Sequence, residues 1–240
     1  MYTDRELTIL KSSAPLCRIN SEGHPTSSAS GCIIDYCKHR ILLTVEHATG
    51  DFGQWAIQLH FNKSKGTQLY RLGAMNFLAN VSIKTGEAKE IDFAYVEIPQ
   101  DLQAMRQEIT ELQEIAQSYP ITVFPLDLFE KPNKDDQFGF AGLVKGQLEK
   151  HPAVTFFASE LKIYDGLKYL RTDGDTYAFE LPFDHPGHPE FEGCSGAPIL
   201  NNVGNPVALI TGGCVKSNEI YGVSLNQYRT PIDILVGNIK

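Results

Sequence analysis

The spacing of short β-type runs constrains the fold more than any other feature of the sequence. Each run holds β-branched, aromatic and aliphatic side chains, and most end in turn residues such as Gly, Asn, Lys or Thr. In the first part of the chain these runs are 30–36, 40–46, 54–61, 77–84 and 91–98. They resume at 137–144, 153–164, 176–183, 206–213 and 219–225. Such a chain lacks the strand–helix alternation of a doubly wound sheet and is typical of all-β domains.

The stretch between the two groups of runs has a helical pattern. Apolar residues recur in it at spacings of three and four: Leu102, Met105, Ile109, Leu112 and Ala116. Pro99 precedes this stretch and Pro120 follows it, as prolines at helix ends do. We therefore predict one connecting helix over 99–118, covering the seam between two all-β halves that are either barrels or sandwiches.

Composition bounds the partners and the compartment. The 240 residues carry a net charge of −8 without a basic stripe, which argues against a nucleic-acid partner. No run approaches the roughly 20 apolar residues of a membrane span. The N-terminal MYTDRELTIL has acidic residues where a signal peptide has only basic ones. The five cysteines are odd in number and scattered, so we expect no disulfide framework and a reducing, cytoplasmic location.

The segment FEGCSGAPIL at 191–200 contains a candidate nucleophile, Ser195. A serine attacks a carbonyl only when a base removes its proton, and that base is most often a histidine oriented by a carboxylate. His47 is well placed for this role, because it ends the apolar run ILLTVEHATG where a strand meets a turn. Asp92 opens the strand EIDFAYVEI on a face with small apolar residues, where a carboxylate needs a partner. We therefore expect a buried Asp92 behind His47.

The order of these residues along the chain discriminates among serine hydrolases. An α/β-hydrolase needs its Asp and His after the Ser, but no histidine follows His188. The subtilisin order could use Asp35 before His47, but that architecture is rich in helices and this sequence is not. The order His47–Asp92–Ser195 on two β halves is consistent with every feature of the chain.

Three other interpretations compete with this one. Cys194, beside the serine, is the alternative nucleophile. His185 and His188 form an H-x-x-H pair in a Pro/Gly loop, where we expect a solvated loop rather than a metal site. Cys32 and Cys37 have no second pair at zinc spacing. We therefore predict neither a metal nor a cofactor.

The three candidate segments resemble motifs of the chymotrypsin-like (trypsin-fold) serine peptidase family. LLTVEHA resembles its L-T-A-A-H segment, IDFAYVEI its D-[IF]-A-[LV] strand, and GCSGAPI its G-D-S-G-[GS]-P-[VIL] loop. SGCIIDY and PVALITGG are similar to two further strands of the family. The resemblance implies an all-β fold of two six-stranded antiparallel β-barrels, at 1–98 and 119–240, with the site in the cleft between them.

The resemblance also implies a role for each residue of the site. The protein would be a serine endopeptidase with His47 as general base, Asp92 as the orienting acid and Ser195 as the nucleophile of an acyl-enzyme mechanism. The backbone N–H groups of Gly193 and Ser195 would form the oxyanion hole, which suits a residue without Cβ at position 193. Three residues would pair with the backbone of a protein or peptide substrate as an added strand: Thr211, Gly212 and Gly213.

The chain departs from the family pattern at several positions. Cys194 replaces the Asp that zymogen-activated members carry before the nucleophile, and Ala48 directly follows His47, so the disulfide common beside the base is missing. The chain therefore resembles the bacterial or intracellular branch, which folds active without cleavage. Pro189 stands where a trypsin-like enzyme has Asp, and Ile210 where glutamate-selecting relatives have His, so we predict an apolar or small side chain before the cleaved bond (P1). The alternative function is a latent or inactive protein of this fold that binds peptides or a regulatory protein partner through the same cleft.

Overall fold

The computed structural model describes residues 2–50, 53–62, 66–109, 115–151 and 154–238, and β-strands dominate it. The strands of the first half are β1 (Ala14–Ile19), β2 (Pro25–Tyr36), β3 (His39–Thr44), β4 (Gln54–Asn62), β5 (Gly66–Arg71), β6 (Asn76–Val81), β7 (Ala88–Ile98), β8 (Met105–Ile109), β9 (Ile115–Pro120) and β10 (Val123–Pro125). Those of the second half are β11 (Gln137–His151), β12 (Val154–Asp173), β13 (Thr176–Glu180), β14 (Pro198–Leu200), β15 (Pro206–Cys214) and β16 (Glu219–Ser224). The α-helices are α1 (Asp4–Ser12), α2 (Glu46–Thr49) and α3 (Arg229–Leu235). Within these ranges, no helix has the length and apolar character needed to cross a membrane.

The second half closes into a six-stranded barrel with the order β11-β12-β13-β16-β15-β14. Its neighbouring strands are antiparallel, and β14 completes the ring by pairing with β11 at Leu200 and Gly139. The barrel interior is filled by aromatic side chains, since Phe138, Phe140 and Phe179 are fully buried. The predicted antiparallel barrel is confirmed for this half.

The first half is an eight-stranded sheet system with the order β5-β4-β1-β2-β3-β7-β6, to which β10 adds by pairing parallel to β2. Its own core includes Leu16, Ile33, Leu42 and Trp55, each less than 6% exposed. The predicted all-β architecture of two β units is thus confirmed, with eight strands in the main sheet of this half where a six-stranded barrel was predicted. Because β10 belongs to this sheet, the first unit extends past the predicted boundary at 119.

The predicted connecting helix over 99–118 is wrong. Strands β8 and β9 occupy the described part of this stretch and pair antiparallel, while 110–114 lie outside the described residues. Leu102, Ala104 and Arg106 are buried and their neighbours are more exposed, so burial alternates with the period of two that a strand produces. The spacing of three and four among the apolar residues did not show this alternation, because the inward position 106 is a charged residue.

The two terminal helices join the halves. Helix α1 begins with a capping box between Thr3 and Glu6 and packs on the second barrel, where Arg5 forms an ion pair of 3.0 Å with Asp165. Helix α3 packs on the first unit, and the preceding ring of Tyr228 stacks on Phe93 at a centroid distance of 4.9 Å. A buried cluster with members from both units fills the space between them. These contacts fix the orientation of the halves and therefore the geometry of any site at their junction.

Candidate active site

The first unit supplies a histidine and a carboxylate that contact each other directly. Strand β3 ends at Thr44, which pairs with Ala94 of β7. Because the two strands are antiparallel, the residues that follow Thr44 lie beside those that precede Ala94, which include Asp92. His47, on helix α2, donates its backbone N–H to Asp92 Oδ1 at 3.0 Å. Its Nδ1 lies 2.7 Å from Asp92 Oδ2. The two contacts hold both the backbone and the ring of His47 against one carboxylate.

The second barrel places a serine hydroxyl on the other side of the same imidazole. His47 Nε2 lies 2.9 Å from Ser195 Oγ. An ionised carboxylate only accepts hydrogen bonds, so Nδ1 carries the proton of the neutral ring and Nε2 keeps its lone pair. Ser195 Oγ–H therefore donates to Nε2. The three residues predicted from sequence order form one continuous hydrogen-bonded chain.

The electrostatics of this chain favour the imidazolium form of His47. The hydrogen bond to Asp92 raises the pKa of His47 above its usual value, partial burial opposes this, and the charges of Asp92 and Glu46 add to the increase. Asp92 is less buried than predicted, because 32% of its side chain is exposed, compared with 43% for His47. The Asp92 oxygens are satisfied by His47 rather than by burial, so a fully enclosed carboxylate is not needed to orient the ring.

Ser30, which the sequence did not single out, anchors the nucleophile loop to the first unit, and Thr44 in turn bonds to Ser30. Ser30, on β2, donates its N–H to the Ser195 carbonyl at 2.8 Å and its hydroxyl to the Gly193 carbonyl at 2.9 Å. Thr44 Oγ1 donates to the Ser30 carbonyl at 2.8 Å. On the opposite side, the Gly196 N–H donates to Ile210 O at 2.9 Å. The small residues at the start of SGCIIDY were the only sequence signal of this close approach.

The loop directs two backbone amides away from the protein's own carbonyls. Gly193 has a φ of 95°, and a Cβ built on it would lie closer to the Leu143 carbonyl oxygen than the 3.0 Å that real Cβ atoms keep. Its carbonyl is turned toward Ser30. In the described part of the chain, neither the Gly193 N–H nor the Ser195 N–H donates a hydrogen bond. Both amides are therefore available to an oxygen bound beside Ser195.

The end of β15 offers an open strand edge next to the nucleophile. On the side away from β16, β14 pairs with β15 only as far as Leu209, and Ile210 is occupied by the nucleophile loop. Among the described residues, no strand covers this edge from Thr211 to Gly213. A Cβ built on Gly212 would meet nothing within 4 Å. The predicted substrate-pairing residues thus lie where an added strand has room.

Solved structures share this architecture, although no protein-family model and no curated protein sequence matches the chain. Human heparin binding protein superposes with a TM-score of 0.61 at 11% identity, covering 100% of this chain and 96% of its own. A serine endoprotease from Yersinia pestis superposes with a TM-score of 0.54 at 11% identity, covering 98% of this chain and 68% of its own. The chain has a chymotrypsin-like fold. At these identities the likeness shows the fold alone.

Within the chymotrypsin-like fold, Cys194 is not placed to act as the nucleophile. Its side chain is fully buried among the aromatic residues of the second barrel. A Cβ built on Gly142 would lie 2.6 Å from Cys194 Sγ, so the thiol packs directly against the backbone of β11. Burial raises the pKa of this thiol to about 12, which disfavours the reactive thiolate. The imidazole faces Ser195 instead.

The H-x-x-H pair differs from the solvated loop that the sequence predicts. His188 is exposed, but the His185 side chain is buried, with 9% of the residue accessible, and its ring lies 5.6 Å from that of His188. Across the described ranges, no group of three or more His, Cys, Asp or Glu residues is arranged to hold a metal ion. His185 is thus part of the packing around the site rather than of its solvent-exposed rim.

Proposed function

We propose that the protein is a serine endopeptidase that hydrolyses peptide bonds through an acyl-enzyme intermediate. The observation that carries this proposal is the continuous chain from Asp92 through His47 to Ser195, with contacts of 2.7 Å and 2.9 Å. Each member has the partner that its chemistry requires: an activated hydroxyl, a base with a free lone pair, and a carboxylate that fixes the tautomer. If the segment around Ser195 were only a tight turn between strands, nothing would require side chains from both halves of the fold to align with it.

In the first step, Ser195 Oγ attacks the carbonyl carbon while its proton passes to His47 Nε2. The carbonyl π electrons move to the oxygen, which the amides of Gly193 and Ser195 stabilise by hydrogen bonds. Asp92 stabilises the imidazolium formed. The C–N bond then breaks, and the leaving amine takes the proton from His47. In the second step, water attacks the acyl group with His47 as base, and Ser195 regains its proton as the acid is released.

The open edge of β15 supports a polypeptide as the substrate. Backbone groups from Thr211 to Gly213 would pair with an extended segment of substrate and bring its carbonyl to Ser195. Binding of this kind recognises a peptide backbone, which a small ester or amide lacks. The proposed substrate is therefore an extended stretch of protein or peptide.

Labelling with a fluorophosphonate probe tests the proposal, because this probe reacts with an activated serine. We expect wild-type protein to be labelled, and both Ser195→Ala and His47→Ala to lose labelling. Cys194→Ala is the matched control, since it changes the adjacent side chain and leaves the hydrogen-bonded chain intact. Absence of labelling in folded wild-type protein would refute the proposal and leave peptide binding through the same cleft as the function to examine.

A further inference from the structure

His185 lies between the two segments that border the candidate active site. Its ring packs edge-on against Phe191, four residues before Ser195, with a centroid distance of 5.0 Å. Its Nδ1 accepts the Gly187 N–H at 3.0 Å, so in the neutral ring the proton sits on Nε2. Within the described chain, this buried Nε2 has no hydrogen-bond partner. The ring therefore holds its place by packing and by one contact at its other nitrogen.

The unpartnered edge of the His185 ring faces Gly213. A Cβ built on Gly213 would lie 3.0 Å from His185 Nε2, 3.0 Å from Ile220 Cδ1 and 2.8 Å from the Glu219 carbonyl oxygen. The space on the side-chain side of Gly213 is thus already filled by these groups. Ile220 is 1% exposed and belongs to the core of the second barrel, so it has no room to retreat.

This filled space coincides with the expected path of the substrate's P1 side chain. The P1 carbonyl must reach Ser195 Oγ, while the backbone before it runs along Thr211–Gly213. The side chain of that residue then enters the gap between the segment that precedes Ser195 and the end of β15. Phe191 lines one side of the gap and Gly213 the other, and His185 touches both.

We propose that His185, together with Ile220, closes the P1 pocket and restricts cleavage to bonds that follow Gly, Ala or Ser. This inference rests on the proposed endopeptidase function and specifies its substrate. A methyl or hydroxymethyl group extends little beyond Cβ and remains at the mouth of the gap. A longer side chain must displace the ring, which breaks its packing on Phe191 and its bond from Gly187.

The charge state of His185 agrees with this structural role. Burial, together with the neighbouring His188, lowers the pKa of His185 below its usual value. The ring is therefore neutral at pH 7 and packs as an uncharged, flat filler against Phe191. Pro189 and Ile210 predicted an apolar or small P1 side chain, and the position of His185 narrows this preference to small side chains. The sequence did not indicate that His185 folds into this gap.

Peptidyl diphenyl phosphonate probes with different P1 side chains test the inference. We expect wild-type protein to react fastest with the Ala probe and poorly with the Leu, Phe, Lys and Glu probes. His185→Ala should raise the rate with the Leu or Phe probe, relative to the Ala probe, by about 10- to 200-fold. His185→Phe refills the space, and His188→Ala changes only the exposed neighbour, so both should keep the wild-type preference.

The outcomes separate the two proposals. Failure of the fluorophosphonate to label folded wild-type protein refutes the endopeptidase function itself. Labelling by the fluorophosphonate, with equal rates for the Phe and Ala probes or with no reaction of the Ala probe, overturns only the role of His185. An unchanged preference in folded His185→Ala overturns it as well. The wild-type preference is decisive even where a variant does not fold.

Discussion

Substitution of Gly193 by alanine should disable the oxyanion hole while leaving the Asp92–His47–Ser195 chain in place. Gly193 has a φ of 95°, a conformation that L side chains rarely adopt. The added methyl would also overlap the Leu143 carbonyl oxygen and crowd Ser28 Oγ at 2.8 Å. Both effects act on the peptide unit whose N–H we propose binds the substrate oxygen.

The magnitude has two separable parts. The backbone strain at a positive φ costs about 1–3 kcal/mol of stability, which corresponds to about 2–4 °C in Tm for each kcal/mol in a chain of this size. The overlap with Leu143 cannot be relieved without moving the loop, so the Gly193 N–H would no longer point toward an oxygen bound beside Ser195. Loss of one oxyanion donor lowers the rate by about 10²- to 10³-fold.

Gly174→Ala is the matched control for this substitution. Gly174 has a φ of 64°, but a Cβ there would meet nothing within 4 Å, so the variant carries the strain without the overlap. We expect both variants to lose thermal stability, measured by circular dichroism. Only Gly193→Ala should react more slowly with the fluorophosphonate than the wild type does. Equal labelling rates for Gly193→Ala and wild type would refute the assignment of this amide to the oxyanion hole.

Four further predictions follow from the charged groups. Asp92→Asn should lower the labelling rate by roughly 10⁴-fold; a loss under tenfold would contradict the orienting role of Asp92. Because Asp92 raises the pKa of His47, wild-type labelling should fall as the pH drops through a midpoint above the usual value of about 6.5, and Asp92→Asn should move that midpoint down in a pH–rate profile. The raised pKa of His47 also adds to the free energy of unfolding. This stabilisation is complete below the pKa of His47 in the unfolded chain and is lost as the pH rises through its pKa in the folded protein. Chemical denaturation at a series of pH values across both pKa values would detect the loss. Arg106→Met should leave Tm unchanged or raise it, because the Arg106 guanidinium is buried with little compensation. Arg106 is 1% exposed, its side chain donates only from Nη2 to Ser13 O among the described residues, and burial lowers its pKa to about 10. A marked fall in Tm would show that Arg106 has a stabilising partner.

The sequence was sufficient to predict the strand that precedes His47 and the strand that contains Asp92, but not the short strand β14 that follows Ser195. Each of His47, Asp92 and Ser195 lies next to a run of apolar residues, so its local setting indicated a fixed, partly buried position. Their order along the chain then limited the architectures that could assemble them. Local pattern and order together predicted a hydrogen-bonded chain whose members come from distant parts of the chain.

The sequence failed where a single residue breaks the usual pattern. Arg106 occupies an inward position of β8, so the alternation of the hairpin was hidden and a helix was predicted instead. Ser30 acts through hydrogen bonds across the junction, and Thr44 acts through a hydrogen bond to Ser30 within the first unit; no periodicity reveals either contact. Helix α1 was missed although Thr3 and Glu6 have the spacing of a capping box.

The exchange of terminal helices between the halves makes the site depend on the cooperativity of the whole fold. His47 and Asp92 move with one unit and Ser195 with the other, so a hinge opening of the two units would separate base from nucleophile. That opening would also have to detach α1 from the second barrel and α3 from the first unit, together with the shared buried cluster. Partial opening therefore has a high free-energy cost relative to complete unfolding, and the two units should unfold in one thermal transition. The distances that join Asp92, His47 and Ser195 should then persist up to the melting temperature and be lost when the fold unfolds.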